Sequence, residues 1–262
     1  MISLIDGDIL AFRTAAASED TDESICILRL DHYVREVLHG SGGDSYEIFL
    51  TGDNNFRKEI YPEYKANRKD KIPPRWLQQC REYLVTNWNA KVSDGCEADD
   101  MLGYSQTEDS VICTIDKDLL MIPGRHYNFV KNEWFTQTYM GGMRFFYEQL
   151  LKGDRSDNIP GVAGLGEKKA ARLLEGCETV QEMYDVCKEQ YADEETMLVY
   201  GKCLWIWRKE GDIWNPHQLT GEHQSNSEEE EKLNSMMQKE EEISQSLDLI
   251  TPDKDGYLVH GH

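Results

Sequence analysis

The sequence has no CxxC pair. Its seven cysteines (Cys26, Cys80, Cys96, Cys113, Cys177, Cys187 and Cys203) are odd in number and sit inside apolar stretches. This reads as free thiols in a reducing cytoplasm and excludes a zinc ribbon or a disulfide framework. No apolar run nears the roughly 18–20 residues of a membrane span. The opening MISLIDGDILAF lacks the basic flank of a signal peptide, and none is expected. Positive charge is scarce: 28 Lys and Arg stand against 49 Asp and Glu, a net charge of −21. That balance argues against a plain basic-footprint binder of nucleic acid, and on composition alone an ordinary acidic cytosolic protein fits better. The distribution softens the objection. Eleven acids and three bases fall between His217 and His262, and Lys and Arg also form clusters at 65–75 and 152–172. Much of the other acid sits in carboxylate pairs, which bound cations could neutralise.

A chain of 262 residues, 39% hydrophobic, can bury a real core. ISLID (2–6) reads as a buried strand feeding a loop. Residues 25–38 carry a helical stripe. YEIFLT (46–51) reads as a second strand followed by turn residues, and Pro73-Pro74 opens a helix to about Asn87. Ala90–Ser93 is a weak strand, Glu97 to about Gln106 a helix, and VICTI (111–115) a third strand. Strands alternating with helices predict an α/β fold with a mostly parallel central sheet and flanking helices. From Gly141 to Trp207 the pattern is helical only, broken by a Gly-rich stretch at 161–166. The expected organisation is therefore an α/β domain over 1–140 carrying the site and a helical lobe over 141–216. An acidic, partly disordered tail over 217–262 follows.

Acids fall where the expected strands end: Asp6 after the first, Asp53 after the second, Asp116 and Asp118 after the third. Glu97, Asp99 and Asp100 open a helix, and Asp154 and Asp157 precede the Gly-rich stretch. In open α/β sheets the crevice beyond the carboxyl ends of the strands is where ligands bind. Any one of these acids could be a helix cap or a turn residue. So many in one crevice need cations to neutralise them. Oxygen donors without His or Cys suit Mg²⁺ or Mn²⁺, and two such ions can hold the attacking and leaving oxygens of a phosphodiester.

Tyr64-Lys65-Ala66-Asn67-Arg68-Lys69 would place Lys65, Arg68 and Lys69 within two turns if helical, beside an aromatic that could stack on a base. The alternative is a solvated, charged helix start. In GDRSDNIPGVAGLGEKKAARLL (153–174), Gly161, Gly164 and Gly166 allow tight turning. The following helix offers its N-terminus to a phosphate, flanked by Lys168, Lys169 and Arg172. This suits a nucleic-acid backbone without sequence readout. A plain helix–turn–helix connection is the other reading.

IDGD (5–8), TGDNNFRKEIYPEYKANRK (51–69), EADD (97–100), TIDKDLL (114–120) and GDRSDNIPGVAGLGEKKAA (153–171) occur in that order. Together they resemble the motifs of the 5′-nucleases, the family of flap endonucleases, 5′→3′ exonucleases and the 5′-nuclease domains of bacterial DNA polymerases. The chain looks most like the short phage exonucleases of that family, which share the YKANRK segment. The resemblance implies a PIN-like 5′-nuclease fold with a helix–three-turn–helix lobe. It also implies Mg²⁺-dependent hydrolysis of DNA, or of an RNA primer, from the 5′ side in replication or repair. Asp6, Asp53, Glu97 and Asp99 would hold the first ion. Asp99, Asp116, Asp118 and Asp157 would hold or water-bridge the second, with Asp100 and Asp154 auxiliary. Lys65 and Arg68 would contact the scissile phosphate, and Tyr64 could stack on a terminal base. The Gly161–Gly166 hairpin would bind duplex or branched DNA and, as is common in the family, a monovalent cation. The stretch between Lys69 and Glu97 is short for a full helical arch, which favours action on duplex ends over strict flap threading.

Two rivals compete. A haloacid-dehalogenase-type phosphatase could use Asp6 and Asp8, but Ile9-Leu10 follow them, and YKANRK and EADD stay unexplained. A catalytically inactive branched-DNA binder would gain nothing from so much buried negative charge. In the tail, Gln245-Ser246-Leu247-Asp248-Leu249-Ile250 resembles the peptides with which bacterial replication enzymes dock on a sliding clamp. The same residues also fit a helical stripe that packs on the nuclease.

Overall fold

The apolar run Ile2–Asp6 forms β1, and all of it beyond the first residue is buried. The chain then turns at once into helix α1 (Gly7–Ala16), capped by the Asp6 side chain, which accepts the Ile9 amide. A loop had been the expectation here. A strand residue that caps the next helix leaves no room for one, and Gly7 lets α1 start hard against the sheet, since a Cβ there would lie 2.7 Å from the Phe49 carbonyl oxygen.

The structure is a computed structural model that describes residues 1–216. Helix α2 (Glu23–Ser41) leads to β2 (Ser45–Leu50), the short α3 (Phe56–Ile60) and a 3-10 turn at Ala66–Arg68. Helix α4 (Leu77–Trp88) begins later than Pro73-Pro74 suggests. Then come β3 (Lys91–Val92), α5 (Ala98–Ser105), β4 (Ser110–Cys113) and a 3-10 turn at Lys117–Met121. A hairpin of β5 (Gly124–Asn128) and β6 (Glu133–Gln137) follows. Helices α6 (Tyr139–Lys152), α7 (Glu167–Leu174), α8 (Val180–Gln190) and α9 (Glu194–Leu204) complete the described chain.

Among the described residues the sheet has six strands in the order β3-β2-β1-β4-β5-β6, parallel except for the final antiparallel β6. The α/β reading with a mostly parallel sheet therefore holds. The β5–β6 hairpin is an addition. The residues of β5, GRHYN, are too polar, and those of β6, EWFTQ, too polar and exposed, to show a clear apolar run.

β1 lies between β2 and β4, so the chain winds outward from it in both directions. The carboxyl ends of these strands are the topological switch point at which such sheets bind ligands. One apolar core, with Leu10, Leu30, Val34 and Leu84, packs α1, α2 and α4 on one face of the sheet. The other, with Leu4, Ile112, Phe146, Leu150, Met183 and Trp205, packs α5 and α6–α9 on the opposite face. The helices from α6 onward thus share a core with the sheet, which fixes the acids of the α6–α7 connection against its carboxyl edge.

Candidate active site

Beyond the carboxyl ends of β1, β2 and β4 lies a cleft of about 760 Å³. Among its lining residues are eight acids (Asp6, Asp8, Asp53, Glu97, Asp99, Asp116, Asp118 and Asp157) and four cations (Lys65, Arg68, Arg75 and Arg81). Asp6, Asp8, Glu97, Asp99, Asp116 and Asp118 arrive from a strand end or a helix start, Asp53 from the loop after β2 and Asp157 from the α6–α7 connection. Asp6 ends β1, and its second oxygen accepts the Thr114 hydroxyl at 2.7 Å, tying β1 to the end of β4. Asp116 caps the 3-10 turn through the Asp118 amide, and Glu97 caps α5.

The charges are badly matched. Burial first, and Asp8 beside it, push Asp6 up to about 7. Burial, Asp116 and Asp154 do the same to Asp118, also to about 7. Burial with Asp116, Asp6 and Glu97 holds Asp99 well above the usual carboxylate range. Glu97 moves the other way: burial would raise it, but Lys65 and Arg57 bring it down to about 2. Among the described residues no three acids already form a metal cage. The donor set nevertheless fits hard divalent cations: the acids that line the cleft offer oxygen only, with no His or Cys. Eight acids against four bases leave an excess of four negative charges, which two divalent ions would balance.

The YKANRK segment folds differently from a helix. Lys65 sits in the left-handed region (φ +55) ahead of the single 3-10 turn. Such a conformation costs of order 1–3 kcal/mol for a residue with a side chain and concentrates at functional sites. Here the Lys65 ammonium donates to Glu97 Oε1 at 2.6 Å and lies 3.8 Å from Asp157 Oδ1. Arg68 Nη2 donates to Asp157 Oδ1 at 2.8 Å. Both cations thus stand among the acids. Lys69 is exposed.

Three residues differ from expectation. Tyr64, which could have stacked on a base, is 3% exposed. Its hydroxyl sits 2.9 Å from both Glu97 Oε2 and Asp157 Oδ2, bridging two acids that lie 60 positions apart in sequence. A ring buried this way has no face to offer a nucleobase. Asp100, placed with the auxiliary metal ligands, is fully buried and does not line the cleft. Its oxygens hold Arg57 and accept the Glu97 and Trp207 amides. Asp154 also lies behind the cleft lining, bonded to the Gln149 amide and the Ser156 backbone.

The sequence reading missed Arg57, Arg81 and Gln149, and weighed Asp8 only for the phosphatase rival. Arg81 on α4 grips Asp8 and the Thr51 carbonyl. Asp8 belongs to the IDGD segment that carries the family resemblance, which was its signal. Arg57 and Arg81 have partners far away in the chain, and Gln149 joins the nearby Asp154 to the distant Asp118, so none of the three leaves a local signal.

In the Gly-rich connection, Gly161 (φ +64) packs against Gly153, where a Cβ would lie 2.3 Å from the Gly153 nitrogen. Gly164 has φ +78, so both positions need glycine. Gly166 is extended and open, and its conformation suits any residue. Lys168, Lys169 and Arg172 are exposed on α7. Lys169 Nζ donates to the Gly164 carbonyl at 3.0 Å, so the hairpin already turns one carbonyl toward a cation.

Residues 1–147 match the family described as 5′-3′ exonuclease, N-terminal resolvase-like domain. The chain belongs to the 5′-3′ exonuclease family. Residues 145–200 match its C-terminal SAM fold, which spans α6–α9. Flap endonuclease Xni of Shewanella putrefaciens is 26% identical over 220 residues, covering 76% of this chain and 83% of the relative. Thermostable DNA polymerase I of Thermus thermophilus is 30% identical over 200 residues, covering 66% of this chain but 24% of the polymerase. Among solved structures, the T5 D15 protein co-crystallised with metal ions superposes with a TM-score of 0.61 at 18% identity, over 78% of this chain and 89% of the other. A T5 5′-exonuclease with bound zinc gives 0.64 at 18%, over 78% and 88%. At that identity the likeness is one of fold. Membership in this family removes the phosphatase rival.

Proposed function

We propose that this chain is a 5′-nuclease that hydrolyses DNA phosphodiesters near 5′ ends and branch points with two divalent cations, Mg²⁺ or Mn²⁺. The observation that carries this reading is the charge of the cleft: eight acids from five segments share one crevice with four cations, Lys65 and Arg68 among them. A surface of pure DNA contact would repel phosphate with such an excess of acid, whereas a cation site needs it. Asp6, Asp53, Glu97 and Asp99 would hold one ion, and Asp99, Asp116, Asp118 and Asp157 the other. Bound ions supply Lewis-acid stabilisation to the phosphate as charge builds on its oxygens.

The chain's own groups do the rest. Lys65 and Arg68 present fixed cations to the phosphate, where preorganised charge is worth most. Lys168, Lys169 and Arg172 on α7 grip the duplex backbone, a contact that positions without reading sequence. Gly164 and its neighbours present carbonyls to a monovalent cation. Residues 69–76 form no helix before α4, and Pro73, Pro74 and Arg75 line the cleft itself. So short a cover favours duplex ends over long threaded flaps. Such an enzyme works in the cytoplasm, where the DNA is. The sliding-clamp peptide at 245–250 lies outside the described residues.

The test is product mapping on 5′-labelled overhang, blunt, nicked, flapped and RNA–DNA hybrid duplexes, with Mg²⁺, Mn²⁺ or chelator. Ion-dependent release of short 5′ products, strongest from duplex ends, is expected. DNA binding with no cleavage under any ion would favour the inactive branched-DNA binder instead.

A further inference from the structure

Helix α6 buries Met143, Phe146, Tyr147, Leu150 and Leu151, and among them one amide, Gln149, at 1% exposed. An amide in such a place is costly unless its polar atoms are bonded. Only half of this one is. Gln149 Nε2 donates to Asp118 Oδ1 at 2.9 Å and to Asp154 Oδ2 at 3.0 Å. Oε1 finds no partner among the described residues. The orientation follows from the acids, since a flipped amide would set its carbonyl oxygen against two carboxylates. A buried polar group kept at the expense of an unsatisfied oxygen calls for an explanation, and the nitrogen side supplies it.

We propose that Gln149 is a positioning residue that aligns Asp118 with Asp154 as oxygen donors, direct or through water, for one divalent cation. This rests on the two-cation reading of the cleft. Asp118 comes from the 3-10 turn after β4 and Asp154 from the end of α6, so neither element alone fixes their relation. The amide joins them from the buried side. Lys117, the other group near both, lies farther off, at 3.9 Å from Asp118 and 3.7 Å from Asp154, and is 60% exposed. A neutral amide also differs in kind from a cation: it orients two carboxylates without cancelling their charge, leaving that charge for an ion. Groups that orient metal-binding carboxylates in this way typically set affinity by about 10–100-fold.

The experiment is calorimetric titration of the full chain with Mn²⁺ in the absence of DNA, comparing the parent with Gln149→Met and Gln149→Asn. Met keeps the volume and removes both polar ends, so the fold is expected to survive. Asn keeps an amide but withdraws it, and it answers the question if the Met variant does not fold. Both variants should retain the parent's circular dichroism and lose about 10–100-fold in affinity for one Mn²⁺. The Mn²⁺ concentration needed for half-maximal cleavage should rise by the same factor, with kcat recovering at saturation. Unchanged Mn²⁺ affinity in the variants, with or without lower activity, would overturn the inference. A parent that takes up no Mn²⁺ would overturn the two-cation reading itself, and this inference with it.

Discussion

Arg57 and Asp100 face each other in a two-pronged ion pair, Nη1 to Oδ2 at 2.6 Å and Nη2 to Oδ1 at 2.7 Å, both sealed from solvent. Arg57 also donates to the carbonyls of Cys203 and Trp205, so the pair ties α3 and α5 to the end of α9 and the residue that follows it. Removing one partner of a buried pair strands the other, at about 3–5 kcal/mol. Asp100→Ala should therefore lower Tm by more than about 6 °C. Asp53→Ala, at an exposed position on the cleft, should leave Tm near the parent and remove activity. Thermal unfolding of the two variants checks this. Equal melting temperatures would return Asp100 to the metal-site acids.

The acid cluster gives the stability a pH dependence of definite sign. Burial and neighbouring acids hold Asp6 and Asp118 at about 7, against about 4 in an unfolded chain. A carboxyl raised on folding favours the folded state fully below about pH 4, and that contribution is lost as pH rises through about 7. The chelated protein should melt lower at about pH 8 than at about pH 5. Adding Mg²⁺ should raise Tm more at the higher pH, because the ion binds ionised acids. Scanning fluorimetry measures both. An ion-induced rise as large at pH 5 as at pH 8 would contradict it.

Lys65 and the α7 cations should fail in different ways. Lys65→Ala removes a charge fixed among the acids, and kcat should fall by about 100-fold or more with little change in Kd. Lys168→Ala or Arg172→Ala should weaken binding to all sequences alike and reduce the salt slope by about 1 per lost phosphate contact. Single-turnover kinetics with salt-dependent binding separates them, and the reverse pattern would exchange their roles.

Tyr64 gives a sharper test of burial against stacking. Tyr64→Phe keeps the ring and removes the hydroxyl shared by Glu97 and Asp157. Cleavage should drop by about 10–100-fold. Replacing the 5′-terminal base by an abasic site should change parent and variant rates by the same factor. A base effect that depends on residue 64 would show that the ring meets the substrate.

Much of this architecture was legible locally. Apolar runs marked β1, β2 and β4, and the acids that follow them needed only the parallel sheet to converge. The α1 start was hidden because Asp6-Gly7-Asp8 looks like a turn, while Asp6 in fact ends the strand and caps the helix. The β5–β6 hairpin was hidden by its polar, half-exposed residues. Tyr64 and Arg57 owe their roles to groups reached only through the tertiary fold, and Gln149 owes to it the Asp118 half of its role. Tyr64 meets Asp157 from 93 positions away, and Arg57 reaches Trp205 from 148. No pattern within a segment encodes such a meeting.

The most direct test of the central claim uses one duplex labelled at the 5′ end in one sample and at the 3′ end in another, incubated with parent or Asp157→Ala, with Mg²⁺ or chelator. The parent with Mg²⁺ is expected to release short 5′-labelled products while the 3′-labelled strand shortens progressively, and chelator or the substitution to stop both. Release of short 3′-labelled products from the outset while the 5′-labelled strand shortens progressively, or cleavage that survives chelation, would contradict the claim.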